Sequence, residues 1–129
     1  MTVVIYTVMS ALLLCWLALK VIKARRANQI AYADGGVIEL QIARSAHTNA
    51  VEYIPITLLL LFGLEYNGGP LWIVHPIGLA FMIGRIIHSR GILTEKLPYR
   101  VLGMQITLLV IVALSLLNLI YFPFTQFVQ

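Results

Sequence analysis

The sequence has few charged residues and a single cysteine. Only 11% of its 129 residues are Asp, Glu, Lys or Arg, whereas 60% are hydrophobic. Cys15 has no second cysteine in its own chain, which excludes an internal disulfide framework. The chain also lacks the spacings of a zinc site, a glycine-rich phosphate loop and a Ser-His-Asp arrangement. No metal site is therefore predicted.

Long runs without any charged residue point to a membrane protein. Residues 1–19, 66–84 and 101–129 contain no Asp, Glu, Lys or Arg, and about 20 apolar residues cross a hydrocarbon core of about 30 Å as a helix. Residues 1–19 also lack the basic start and cleavage site of a secretory signal, which favours a permanent helix.

A fourth crossing is less obvious, because only twelve uncharged residues separate Glu52 from Glu65. Extending this segment backwards through the polar residues before it gives the missing length. The sequence therefore predicts an all-α integral membrane protein, an up-and-down bundle of four helices forming one domain over residues 1–129. The predicted helices are about residues 2–22, 37–64, 71–90 and 99–121.

The basic residues predict the orientation in the membrane. All nine lie in, or at the helix ends beside, the loop between helices one and two and the loop between helices three and four. By the positive-inside rule, these two loops face the cytoplasm and both termini face outside. The net charge of +4 then reflects topology and anionic lipid headgroups, so no nucleic-acid partner is expected. The nine residues are Lys20, Lys23, Arg25, Arg26, Arg44, Arg85, Arg90, Lys96 and Arg100.

Polar and ionisable residues interrupt the second predicted helix between Arg44 and Pro55. At 1.5 Å of rise per residue, Glu52 lies about 10 Å inside the inner boundary of the membrane, where a carboxylate is a candidate functional group. Arg44 and His47 lie off the polar face, which must contact protein or a water-filled cavity. One helical face carries Gln41, Ser45, Thr48, Asn49 and Glu52.

Two arginines on other helices reach similar depths. Arg85 lies about 7 Å inside the membrane, near the level of Asn49 and Glu52, and Arg100 lies at the boundary itself. These four residues predict a cluster of mixed charge that opens toward the cytoplasm. The simpler alternative is that Glu52 and Arg85 only form an ion pair that holds two helices together.

These features resemble the MAPEG family, the membrane-associated proteins in eicosanoid and glutathione metabolism. The basic first loop and the four helices are typical of the family, and the run from Tyr32 to Gln41 is most similar to its bacterial inner-membrane branch. The residues that carry the motif resemblance are His47, Asn49, Glu52, Pro55, Arg85 and Arg100.

The resemblance implies a homotrimer that holds glutathione between neighbouring subunits near the cytoplasmic face. Arg100 matches the family's thiol-activating arginine and would be the catalytic residue. Arg85 would bind a carboxylate of glutathione, Glu52 its ammonium and Asn49 an amide, while His47 completes the motif.

Two positions depart from the family pattern. Ser45 stands where the family has an arginine, and Arg44 precedes it by one residue, about 100° away on an ideal helix. Arg44 is therefore a candidate replacement for the missing guanidinium. Ile92 stands where several synthases of the family have a tyrosine, so the hydroxyl of that tyrosine is missing here.

The chemistry of glutathione suits the predicted cluster, because its carboxylates, ammonium and amides need guanidinium, carboxylate and amide partners. A guanidinium beside the sulfur would lower the thiol pKa from about 8.5. The thiolate would then attack a lipophilic electrophile from the bilayer or reduce a lipid hydroperoxide. A non-catalytic lipid-binding or scaffold protein of the same fold is the main alternative, and a transporter or proton relay based on Glu52 is a third.

Overall fold

The computed structural model describes residues 1–123 and consists of four α-helices, with no strand in that part of the chain. Each helix is long and apolar enough to cross a membrane. This confirms the predicted all-α architecture of four membrane helices. Residues 124–129, which the predicted domain includes, lie outside the described residues. The helices are α1 (Val3–Asn28), α2 (Ile38–Tyr66), α3 (Leu71–Leu93) and α4 (Leu97–Ile120).

The first helix extends beyond the segment that hydrophobicity predicts. It ends at Asn28 and not near residue 22, and Gln29 follows it in the left-handed conformation with φ 54°. The backbone N–H of Gln29 donates to the carbonyls of Arg25 and Arg26. The side-chain charges of these two arginines lie at the negative end of the helix dipole, where they stabilise the helix. The apolar run thus marks the membrane segment, while the helix itself continues into the polar interface.

Glycines bring α3 and α4 close together. A Cβ atom on Gly103 would lie 2.6 Å from the carbonyl oxygen of Gly84 and still closer to the backbone of His88. A Cβ atom on Gly91 would collide with the backbone of Arg100. Small residues at these crossings let the two backbones approach closely. The resulting van der Waals contacts stabilise the helix pair in lipid, where no hydrophobic effect acts between helices.

The bundle has two chemically different ends. We call the end with the α1–α2 loop and the α3–α4 turn the basic end, because the lysines and arginines gather there. The opposite end contains the start of α1 and the α2–α3 turn. A large apolar cluster fills the bundle between them, and a smaller one, formed by Ala24, Leu40 and Ala43, joins α1 to α2 near the basic end.

At the opposite end, Glu65 of α2 caps the N-terminus of α1. Its carboxylate accepts hydrogen bonds from the backbone N–H of Thr2 and of Val3, the second at 2.8 Å, and from the hydroxyl of Thr2 at 3.1 Å. The side chain of Thr2 does not cap the helix itself. The acid therefore satisfies free N–H groups and places a negative charge at the positive end of the helix dipole.

We expect Glu65→Gln to lower the free energy of unfolding by about 1 kcal/mol, because the amide weakens the helix cap and removes the charge. Thermal unfolding in detergent, followed by circular dichroism, measures the change. Glu95→Gln is the matched control, since Glu95 is exposed in the α3–α4 turn and its side chain forms no hydrogen bond within residues 1–123. Equal melting temperatures for the two variants would contradict the capping role.

Candidate functional site

A cavity of about 810 Å³ lies at the basic end, between α2, the α3–α4 turn and the loop after α1. Its volume is within the range of about 300–1,000 Å³ that is usual for small-molecule sites. All five residues of the predicted polar face of α2 line it, and so does Arg100 from α4. These residues are Gln41, Ser45, Thr48, Asn49, Glu52 and Arg100.

Helix α3 fixes the position of Arg100 through the backbone. The Nδ1 atom of His88 donates to the carbonyl oxygen of Arg100 at 2.7 Å, since a carbonyl can only accept. Gly91 leaves room for the backbone of Arg100 to rest directly on α3. The backbone is therefore held at two points, while the guanidinium is exposed at the cavity.

Arg85 lies behind the cavity and does not line it. Its side chain is fully buried, and its Nη2 atom donates to Oδ1 of Asn49 at 2.7 Å. Its Nη1 atom reaches the hydroxyl of Thr107 at 3.5 Å, and the guanidinium carbon lies 5.7 Å from the ring centre of Tyr53. Because Arg85 occupies the oxygen of Asn49, the amide NH₂ of Asn49 is the group left to donate to a ligand.

Glu52 contributes an uncommitted carboxylate to the cavity. It is exposed, and within residues 1–123 it forms neither an ion pair nor a side-chain hydrogen bond. In the single chain, Glu52 and Arg85 therefore do not form the ion pair that was the simpler alternative. The structure instead brings Arg85 to Asn49 and leaves Glu52 facing the cavity.

Arg44 lies at the rim of the cavity together with a residue from the loop after α1. Its Nη1 atom is 3.7 Å from Oδ2 of Asp34, and both residues line the cavity. The backbone N–H of Gly36 donates to Oδ1 of Asp34, and Arg25 donates to the carbonyl of Ala33, each at 2.9 Å. These contacts hold the loop against the cavity, and they give Arg44 a carboxylate partner on the loop.

His47, a motif residue of α2, does not line the cavity, as its position off the polar face indicates. It is half-buried. Two acidic residues that line the cavity, Asp34 and Glu95, were not among the predicted site residues. Both lie outside the helices, so the paths of the loop and the turn decide where their carboxylates lie, and no helical pattern marks them.

Comparison with known proteins gives a consistent result. The model of the MAPEG family matches residues 3–120. The chain is also similar to the inner membrane protein YecN of Escherichia coli strain K12, with 40% identity over 119 residues, which cover 92% of this chain and 91% of that protein. The protein of the same name from Escherichia coli O6:H1 matches to the same extent.

Proposed function

The chain belongs to the MAPEG family, and on that premise we propose that it binds glutathione in the cavity at the basic end and activates the thiol. The second substrate would be a lipophilic electrophile or a lipid hydroperoxide that enters from the bilayer. The four apolar helices and the inner-membrane relative identify a multi-pass inner-membrane protein. By the positive-inside rule, we place the basic end in the cytoplasm and the termini outside.

The observation that carries the proposal is the mixture of separated groups around one cavity. Arg100 supplies a cation, Glu52 supplies an anion without a partner, and Asn49 supplies an amide NH₂ that Arg85 leaves free. Glutathione carries carboxylates, an ammonium and peptide amides, and the cavity offers guanidinium, carboxylate and amide groups, which are the partner types that these need. Arg44 precedes Ser45 and lines the same cavity, while the hydroxyl of Ser45 donates to the carbonyl of Gln41 at 2.8 Å.

In the proposed reaction, the guanidinium of Arg100 lies beside the sulfur and stabilises the thiolate. The thiolate then forms a bond to an electrophilic carbon, and the displaced electron pair leaves with the departing group or takes up a proton. With a hydroperoxide, the thiolate attacks the outer oxygen and releases an alcohol; a second glutathione then forms the disulfide and water. Glu52 holds the ammonium, and Arg85 acts through Asn49 as a positioning residue.

The polar face of α2 supports an oligomer. Gln41, Ser45, Thr48 and Glu52 are exposed on one side of the single chain, on a helix that crosses the membrane. Thr48 and Glu52 lie inside the membrane boundary, where polar groups cannot face hydrocarbon without a large cost in free energy. We therefore propose that neighbouring copies cover this face in a homotrimer, and native mass spectrometry tests it directly; a monomer would contradict the shared site.

We expect Glu52→Gln to weaken glutathione binding about tenfold or more, because a charge-assisted hydrogen bond contributes about 1.5–3 kcal/mol. Calorimetry on the purified protein measures the dissociation constant. Glu39→Gln is the matched control, since Glu39 lies on the same helix but does not line this cavity. Absence of binding by the unchanged protein at millimolar glutathione would overturn the proposed function.

One feature favours a second candidate, a non-catalytic lipid-binding protein of the same fold. Ile92 lines the cavity at the position where several synthases of the family have a tyrosine, so an apolar group replaces a hydroxyl there. Mass spectrometry of co-purified lipid separates the two candidates. Stoichiometric lipid in a protein that forms no glutathione thiolate would favour this candidate over the enzyme.

A further inference from the structure

A second cavity, of about 420 Å³, lies at the basic end between α1, the start of α2 and the α3–α4 turn. Its lining combines two lysines, Lys20 and Lys23, with two glutamates, Glu39 and Glu95. We propose that this cavity, which we call the headgroup groove, binds a phospholipid whose headgroup carries both a phosphate and a primary ammonium, as phosphatidylethanolamine does. This proposal does not depend on glutathione chemistry.

The four charged residues of the headgroup groove do not neutralise one another. Within residues 1–123, the ion pairs are those of the N-terminal ammonium with Glu65 and of Arg44 with Asp34. No lysine nitrogen of the groove therefore lies within 4.0 Å of a glutamate oxygen. The ammonium of Lys20 lies 5.2 Å from the ring centre of Trp16. The amide NH₂ of Asn28 donates to Oε2 of Glu39 at 3.4 Å, so Oε1 is the oxygen of Glu39 that remains open. The groove therefore keeps two ammonium groups and at least one oxygen of each carboxylate available to a ligand.

This charge pattern selects one headgroup chemistry. A purely anionic headgroup would contact the lysines but would also meet two carboxylates. A choline headgroup has both charges, but its quaternary ammonium has no N–H to donate to a carboxylate. A primary ammonium can donate to Glu39 and Glu95 while the phosphate accepts from Lys20 and Lys23, so both sets of charges form charge-assisted hydrogen bonds.

The location of the groove fits a lipid better than a soluble zwitterion. Ala24, Ile38, Ala43 and Leu93 supply apolar lining, and the lysines stand near the end of a membrane-crossing helix, where headgroups lie. Leu19 and Ile22, on the same helix, are exposed side chains that acyl chains can cover. A headgroup in the groove thus continues directly into the apolar surface of α1.

Quenching of tryptophan fluorescence by brominated lipids tests the proposal. Trp72→Phe leaves Trp16, next to Lys20, as the single tryptophan reporter of the chain. This protein is reconstituted in phosphatidylcholine vesicles that contain brominated phosphatidylethanolamine, phosphatidylglycerol or phosphatidylcholine at matched mole fractions. We expect the ethanolamine lipid to reach half-maximal quenching at about fivefold lower mole fraction than either other lipid, as one net hydrogen bond would give.

Variants separate this interpretation from simple attraction of anionic lipid. Glu95→Gln should remove the preference for ethanolamine over glycerol headgroups, and Lys23→Gln should weaken quenching by both, whereas Lys96→Gln, which lies outside the groove, should leave the preference unchanged. Equal quenching by all three lipids in the parent protein would overturn the proposal. A preference for phosphatidylglycerol, or an ethanolamine preference that survives Glu95→Gln and Lys23→Gln together, would also overturn it.

Discussion

We expect Arg100→Ala to abolish the ultraviolet absorbance of thiolate that the proposed glutathione site would produce, and to lower the conjugation rate by at least about 100-fold. The expected size follows from losing the one positioned cation that would stabilise the negative charge on sulfur. Glutathione affinity should fall much less, since Glu52 and Asn49 still contact the tripeptide. Difference spectroscopy and steady-state kinetics in lipid vesicles measure the two effects separately.

Arg90→Ala is the control for this experiment. Arg90 is exposed in the last turn of α3 at the same end of the bundle, but it does not line the cavity. The backbone of Arg100 keeps its hydrogen bond to His88 in the alanine variant, so α4 should stay in place. Arg100→Lys should restore part of the thiolate signal, because a point charge replaces a planar guanidinium. An unchanged thiolate signal in Arg100→Ala would exclude the proposed role.

Gly103→Ala is expected to lower the free energy of unfolding by about 3 kcal/mol. The new Cβ atom would collide with backbone atoms of Gly84 and His88, and backbone cannot turn aside as a side chain can. Helices α3 and α4 must then separate, which also breaks the hydrogen bond from His88 to the carbonyl of Arg100. Thermal unfolding and glutathione-thiolate formation should therefore both be impaired.

Gly63→Ala is a matched control for that substitution. A Cβ atom there would meet Oδ1 of Asn118 at 2.7 Å, but this contact is the end of a flexible side chain. Asn118 can turn away at the cost of its hydrogen bonds to the carbonyls of Leu60 and Leu114. The melting temperature should therefore fall less than for Gly103→Ala. If Gly63→Ala were equally harmful, tight α3–α4 contact would not be the cause.

Long uncharged runs were enough to predict the four helices, and helical periodicity was enough to predict the polar face of α2. A helix fixes the relative angle of its own residues, so Asn49 and Glu52 had to share a side whatever packed around them. The rotation of α3 about its axis was not predictable in this way. This rotation depends on the close approach of α4 at Gly84 and Gly91. As a result, Arg85 donates hydrogen bonds to Asn49 and Thr107 and does not pair with Glu52.

The pairing of Arg44 with Asp34 was equally inaccessible to sequence reasoning. It requires the loop after α1 to fold back over α2, and that path includes Ala33 with a positive φ of 52°. No hydrophobic pattern predicts a left-handed alanine. In this conformation the carbonyl of Ala33, in the loop, accepts a hydrogen bond from the side chain of Arg25, in α1.

Ile42 and Glu95 line both cavities at the basic end, so a single wall separates the proposed glutathione site from the headgroup groove. An occupant that shifts this wall on one side reshapes the other side. Binding of two ligands to one protein is reciprocal. If a lipid changes the affinity for glutathione by some factor, glutathione changes the affinity for that lipid by the same factor. With both proposed ligands bound, the dissociation constant for glutathione would then depend on the bilayer composition as well as on the chain.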